Sequence, residues 1–145
     1  IAVLGEIGME GALAPFGMAD GMDPELGMDE FSLAGPTRVT ELRYGKVETY
    51  EVAPEDFGVK RVAFQQIASR GSARENAEAI MEVLRGRWDT PLADFFCINA
   101  AAALWISDQS RDLAHGVELA RSALASGKAL GKLEQLLEFQ GKPPV

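Results

Sequence analysis

TRVTELR (37–43) and KVETYEV (46–52) flank a two-residue break, Tyr44-Gly45. Both runs are rich in β-branched residues. In the second, Val47, Thr49 and Glu51 oppose Glu48, Tyr50 and Val52, the period of a pleated strand. In the first, Val39 and Leu42 break the strict phase. Gly45 can take a positive φ at no steric cost, so the stretch predicts an antiparallel hairpin.

Upstream, ALAPF (12–16) is a short apolar run bounded by glycines and predicts a buried strand. IAVLGEIGMEG (1–11) reads as the end of a helix. Between strand and hairpin, roughly Gly17 to Pro36, lies an acidic loop that is long for a segment without structure, a length usually tied to function or disorder. Downstream, Pro54-Glu55-Asp56-Phe57-Gly58 predicts one helical turn with proline early and glycine after it. The remainder is helical. Ser72 and Glu75 have capping-box spacing. Behind them Ala77, Ile80, Met81 and Leu84 predict one apolar face, ended at Gly86. Asp89 and Pro91 open a helix from about Leu92 to Ile106, apolar nearly all round and therefore central. A third, from about Arg111 to Ser126, carries Leu113, Val117, Ala120 and Leu124. A last one runs from Ala129 to Phe139, and the tail GKPPV (141–145) cannot continue it. A strand-rich first half and a helix-rich second half read as α+β, or as one part of a larger α/β domain.

The totals narrow the function. The chain has 145 residues, 47% hydrophobic and 25% charged, which suits one domain with its own core. Its formal net charge of -8 argues against nucleic acid or an anionic membrane as partner, since both want a basic face. A small anion stays open if a metal supplies the positive charge. The apolar stretch from Leu92 to Ile106 is too short and too polar to span a bilayer. No signal peptide is expected. The first residue is Ile, so the expectation is a chain that begins inside a longer reading frame. The single cysteine, Cys97, reads as a small buried hydrophobe in a reducing, cytoplasmic compartment.

Several residues invite chemistry. Asp29-Glu30 in GMDPELGMDEFS (21–32) places adjacent carboxylates in a glycine-bearing loop, where both can face one ion. Such hard oxygen ligands suit Mg2+, which takes one or two carboxylates plus phosphate oxygens and waters. From the dipeptide alone, a solvated acidic loop is the preferred reading. Adding Asp20 and Asp23 would make a calcium loop, but EF-hand spacing is absent. The early glycines match no phosphate-loop pattern and read as turns. His115 reads as solvated, Trp88 and Trp105 as packing, and Arg70, Arg74, Arg85 and Arg87 as a solvated helix face. No residue reads as a general base or nucleophile.

The order of segments carries more. GMDEFSLAGPTRVTEL, EVAPEDFGV, SARENAEAIMEVLRG, INAAAALW and ASGKALGKLEQL together resemble the C-terminal part of anthranilate phosphoribosyltransferases, over nearly the whole chain beyond about residue 27. Each piece is weak alone; their order is specific. The resemblance implies part of the α/β domain of the nucleoside phosphorylase/phosphoribosyltransferase-type fold. It implies Mg2+-dependent transfer of phosphoribosyl from phosphoribosyl diphosphate to anthranilate in tryptophan biosynthesis, and a full-length homodimer. It also implies that Asp29 and Glu30 match the family's Mg2+-binding acidic pair. The family's G-T-G-G-D loop, K-H-G-N segment and anthranilate-contacting arginine are not among these residues, nor is its N-terminal helical domain. No transferase activity is therefore expected of the chain alone. LAPFGMADGMDPELGMDE is longer than the family's run and lacks its histidine, so Gly17–Leu26, with Asp23, reads as an insertion. A related nucleoside-phosphorylase-type enzyme and a non-catalytic binding domain on the same scaffold remain as alternatives.

Overall fold

The Tyr44-Gly45 turn has both φ angles positive, 51° and 76°, so the link is a tight primed turn whose twist matches the strands it joins. Tyr44 shares the left-handed conformation with its glycine. Its hydroxyl donates to Asp108 at 3.0 Å, which ties the turn to the end of a helix. The computed structural model describes residues 1–23 and 25–143; Pro24 of the acidic loop and Pro144-Val145 of the GKPPV tail lie outside the described residues.

Among the described residues, three strands and five α-helices run in the order α1 (Ala2–Glu6), β1 (Gly11–Gly17), β2 (Thr37–Arg43), β3 (Lys46–Val52), α2 (Ala73–Leu84), α3 (Pro91–Ile106), α4 (Leu113–Ala125) and α5 (Lys128–Phe139). Pro54–Phe57 forms the expected single turn, closed by Gly58 at φ 70°. The sheet is antiparallel in the order β1-β2-β3, with Pro15 opposite Val39 and Val39 opposite Tyr50. The α+β reading of these residues holds, and the helix boundaries fall within a few residues of expectation.

Caps set those boundaries. Ser72 Oγ accepts from the Glu75 amide at 3.2 Å, Thr90 Oγ1 from Ala93 at 3.2 Å, and Asp112 Oδ1 from His115 at 2.7 Å. Glu75 completes its half of the Ser72 pairing by accepting from the serine hydroxyl at 2.7 Å, not from the backbone amide. Helix α3 is central: Ala93, Phe95, Cys97, Ile98, Ala101 and Ala102 are all buried. It packs on α4, which buries Gly116, Val117, Ala120 and Leu124. A side chain at Gly116 would bring Cβ within 2.8 Å of Ala101 Cβ and 2.9 Å of its Cα, so glycine is what lets these helices touch.

Four expectations need correction. ALAPF is not buried: β1 is an edge of the sheet, its residues are mostly half-covered, and an edge tolerates Pro15. The buried face of α2 is Ala79 and Val83, while Ile80 is exposed. Seven apolar residues cover more than half of that helix's circumference, so more than one face could dock. Trp88 stands exposed in the α2–α3 connection, whereas Trp105 carries the Arg43 guanidinium 3.9 Å from its ring centroid. Most consequentially, the long loop read as a segment without structure contributes to the core at its C-terminal end. Phe31, Ser32, Leu33, Ala34 and Gly35 are all buried, with Leu33 fully so.

That segment has no strand or helix ladder, so its polar groups need other partners. Thr37 Oγ1 accepts from the Ser32 amide and Ser32 Oγ from the Ala34 amide, both at 2.9 Å. The backbone at Met18 and Asp20 is pinned over it: Met18 N–H reaches the Pro36 carbonyl and Asp20 N–H the Ala34 carbonyl, each at 2.8 Å. Arg61 then bridges Asp20 at 2.8 Å and Glu55 at 3.4 Å. Backbone crossing at this point needs glycine. A Cβ on Gly35 would sit 2.7 Å from the Met18 carbonyl oxygen.

Burial explains Cys97. Desolvation pushes its thiol up to about 11, outweighing the opposite pull of Arg121. The raised value means that folding favours the neutral thiol. That contribution is complete below the unfolded thiol's pKa of about 8.5 and is lost as pH rises through the folded value. The native chain should therefore resist iodoacetamide at pH 8.5 and label rapidly in denaturant. Equal labelling rates in the two conditions would contradict the burial.

Candidate functional site

Asp29 and Glu30 both lie exposed on a bend between β1 and the buried Phe31–Gly35 segment. Two features place them. Before them, Met28 and Gly17 form an isolated antiparallel bridge, exchanging both backbone hydrogen bonds at 2.8 Å. After them, the Phe31 amide donates to Asn99 Oδ1 at 2.8 Å, and Asn99 Nδ2 donates to the Phe31 carbonyl at 3.2 Å. Asn99 belongs to α3, so the central helix holds the loop directly. Phe31 anchors the same point by packing edge-on to Phe57 with ring centroids 5.4 Å apart.

The other acids of the loop are used elsewhere. Asp23 Oδ1 accepts from the Glu25 amide at 2.9 Å, a local turn contact. Asp20 is paired with Arg61. Among the described residues, no three of the His, Cys, Asp or Glu side chains gather closely enough to hold a metal ion. A four-carboxylate cage is therefore not built. What stands is an open pair of hard oxygen donors, the chemistry Mg2+ accepts when waters and phosphate oxygens complete its octahedron. The donor set fits Mg2+ in that shared mode and not as a closed protein site.

Beside the pair runs a groove of about 350 Å³, lined by Met28, Glu30, Phe64, Ile67, Arg70 and Phe95 among others. Its floor is apolar, with Glu30 and Arg70 supplying opposite charges. Other candidates do not join it. His115 is half-buried at the start of α4, where its Nδ1 accepts from the Arg111 amide at 3.3 Å. Arg74 and Arg87 pair on the surface with Glu78 at 2.9 Å and Glu82 at 2.7 Å, as a solvated face would. The residue that sequence reading missed is Asn99. Its signal was present: a lone amide among the apolar residues of a buried helix needs partners.

Comparison with known proteins places the chain in a family. The profile of the family described as "Glycosyl transferase family, a/b domain" matches residues 8–130. The anthranilate phosphoribosyltransferase of Symbiobacterium thermophilum is 42% identical over 137 residues, which is 94% of this chain and 38% of that protein. The crystal structure of the Thermus thermophilus anthranilate phosphoribosyltransferase superposes with a TM-score of 0.74 at 34% identity, covering 89% of this chain and 35% of that one. The Saccharomyces cerevisiae enzyme solved with PRPP and Mg superposes at 0.72 and 25% identity, covering 87% and 34%. The chain thus spans little more than a third of the length of the relatives it matches. Residues 8–130 cover most of its 145, and on that match the chain belongs to the glycosyl transferase family, as part of its α/β domain.

Proposed function

We propose that this chain is the C-terminal part of an anthranilate phosphoribosyltransferase, in which Asp29 and Glu30 hold Mg2+ beside the diphosphate of phosphoribosyl diphosphate. The observation that carries this reading is the adjacent, exposed carboxylate pair on a bend pinned at both ends. The names of the similar proteins supply the substrates, and the yeast relative was solved with PRPP and Mg.

The reaction forms a bond from the anthranilate nitrogen to the anomeric carbon. The bond from that carbon to the diphosphate oxygen breaks, diphosphate leaves with the electron pair, and the amine gives up one proton. Mg2+, when bound, neutralises charge developing on the leaving diphosphate. Asp29 and Glu30 contribute the oxygens that fix the ion's place on this chain. With a net charge of -8 the chain itself repels a diphosphate, so the pair acts through a cation. The glycine-rich diphosphate loop, the anthranilate-contacting arginine and an N-terminal helical domain belong, on this reading, to the remaining length of the protein. A homodimer in the cytoplasm is proposed on the same resemblance.

The test is consumption of anthranilate. The full-length protein should consume it only when phosphoribosyl diphosphate and Mg2+ are supplied, and the 145-residue chain should consume none. No turnover by the full-length protein would overturn the function. Turnover by the chain alone would overturn the assignment of essential loops to the remaining length.

A further inference from the structure

Only Asp29 and Glu30 separate the two backbone anchors of the loop. On one side is the Gly17–Met28 bridge. A Cβ at Gly17 would fall 2.3 Å from the Glu30 carbonyl oxygen, so the end of β1 lies directly against the backbone of the pair. On the other side is Asn99. Its amide makes with Phe31 the two-point pairing that a neighbouring strand would make, acceptor to N–H and donor to C=O. The second Nδ2 hydrogen goes to the Phe95 carbonyl at 2.9 Å, one turn back on α3. Both donors are thus engaged, and a flipped amide would set donor against donor at the Phe31 N–H. The orientation of Asn99 is locked to the most deeply buried helix, and the backbone leaving Glu30 is locked to Asn99.

We infer that Asn99 is a positioning residue for the acidic pair: it fixes the backbone at residue 31 and so the direction in which Glu30 and Asp29 present their oxygens. The inference rests on the reading of that pair as Mg2+ ligands. Groups that orient metal ligands typically change metal affinity about 10- to 100-fold when removed. A purely space-filling asparagine would not.

The experiment uses the full-length protein with phosphoribosyl diphosphate, and Mn2+ as a paramagnetic substitute whose free fraction is read by electron paramagnetic resonance. Amide exchange at Phe31 is measured separately in metal-free buffer. Asn99→Ala should weaken Mn2+ binding about tenfold, by the same rule, and abolish exchange protection at the Phe31 amide. Asn99→Gln keeps the amide chemistry one methylene out of place. It should act in the same direction, and it decides the matter if the alanine variant does not fold. Leu42→Ala, which empties a buried position of β2 opposite Ala12, at the end of the sheet away from Gly17, should lower Tm and leave Mn2+ affinity unchanged. Unchanged Mn2+ affinity in the Asn99 variants overturns the inference. So does an equal loss in Leu42→Ala, which would make the effect one of general stability. Asp29→Ala with Glu30→Ala is run beside them. If that double variant binds Mn2+ normally, the metal reading fails and takes the inference with it; if it alone weakens binding, only the role of Asn99 fails.

Discussion

Replacing both Asp29 and Glu30 with alanine in the full-length protein is expected to lower phosphoribosyl transfer about a thousandfold at fixed Mg2+. The size follows from the several kcal/mol that a metal contributes to a charged transition state, at 1.36 kcal/mol for each tenfold in rate. Both side chains are exposed, and no third acid, histidine or cysteine gathers with them among the described residues. Their loss should therefore leave the fold intact, and Tm should move little. Raising Mg2+ should recover part of the rate, because phosphate oxygens and waters still coordinate the ion. The measurement is initial rate against Mg2+ concentration for wild type and double variant. Coincident curves would show that the pair is a solvated acidic loop after all.

Leu33→Ala should be the most damaging single truncation of the fold. Leu33 is 0% exposed and packs with Phe31, Val39, Phe57 and Ile98 in the core. Removing a fully buried leucine costs about 3 kcal/mol through lost transfer energy and the cavity left behind. For a chain of this size that corresponds to a fall in Tm of roughly 6–12 °C. Thermal unfolding checks it. A loss below about 1 kcal/mol, the level of ordinary surface changes, would mean that the Phe31–Gly35 segment is not the core element described here. Leu33 lies only a few residues beyond Glu30, so this variant should also loosen the loop. The double variant at Asp29 and Glu30 separates the two effects, because it should change Mg2+ dependence without a comparable fall in Tm.

The two results concern opposite sides of one short stretch, and the sequence treats those sides differently. GMDEFSLAGP contains adjacent acids that are visible as a candidate at once, because carboxylates bear chemistry whatever surrounds them. The burial of FSLAG is not visible. Burial is read from periodicity, and this segment has neither the period of a strand nor that of a helix. Its polar groups are satisfied by Thr37, Ser32 and Asn99, and the last lies 68 residues away along the chain.

Local chemistry accounts for what could be read directly. The turn at Tyr44-Gly45, the serine, threonine and aspartate caps and the proline-led turn at 54–57 each depend on a few neighbouring residues. The sequence alone therefore determined the hairpin, the helix boundaries, the central place of α3 and the acidic pair. Which face of α2 is buried, how the edge strand lies and what holds Asp29 and Glu30 were decided by the tertiary structure. The reason is that a wide apolar stripe admits several dockings, and a hydrogen bond from Asn99 to a distant backbone exists only once helix and loop have met.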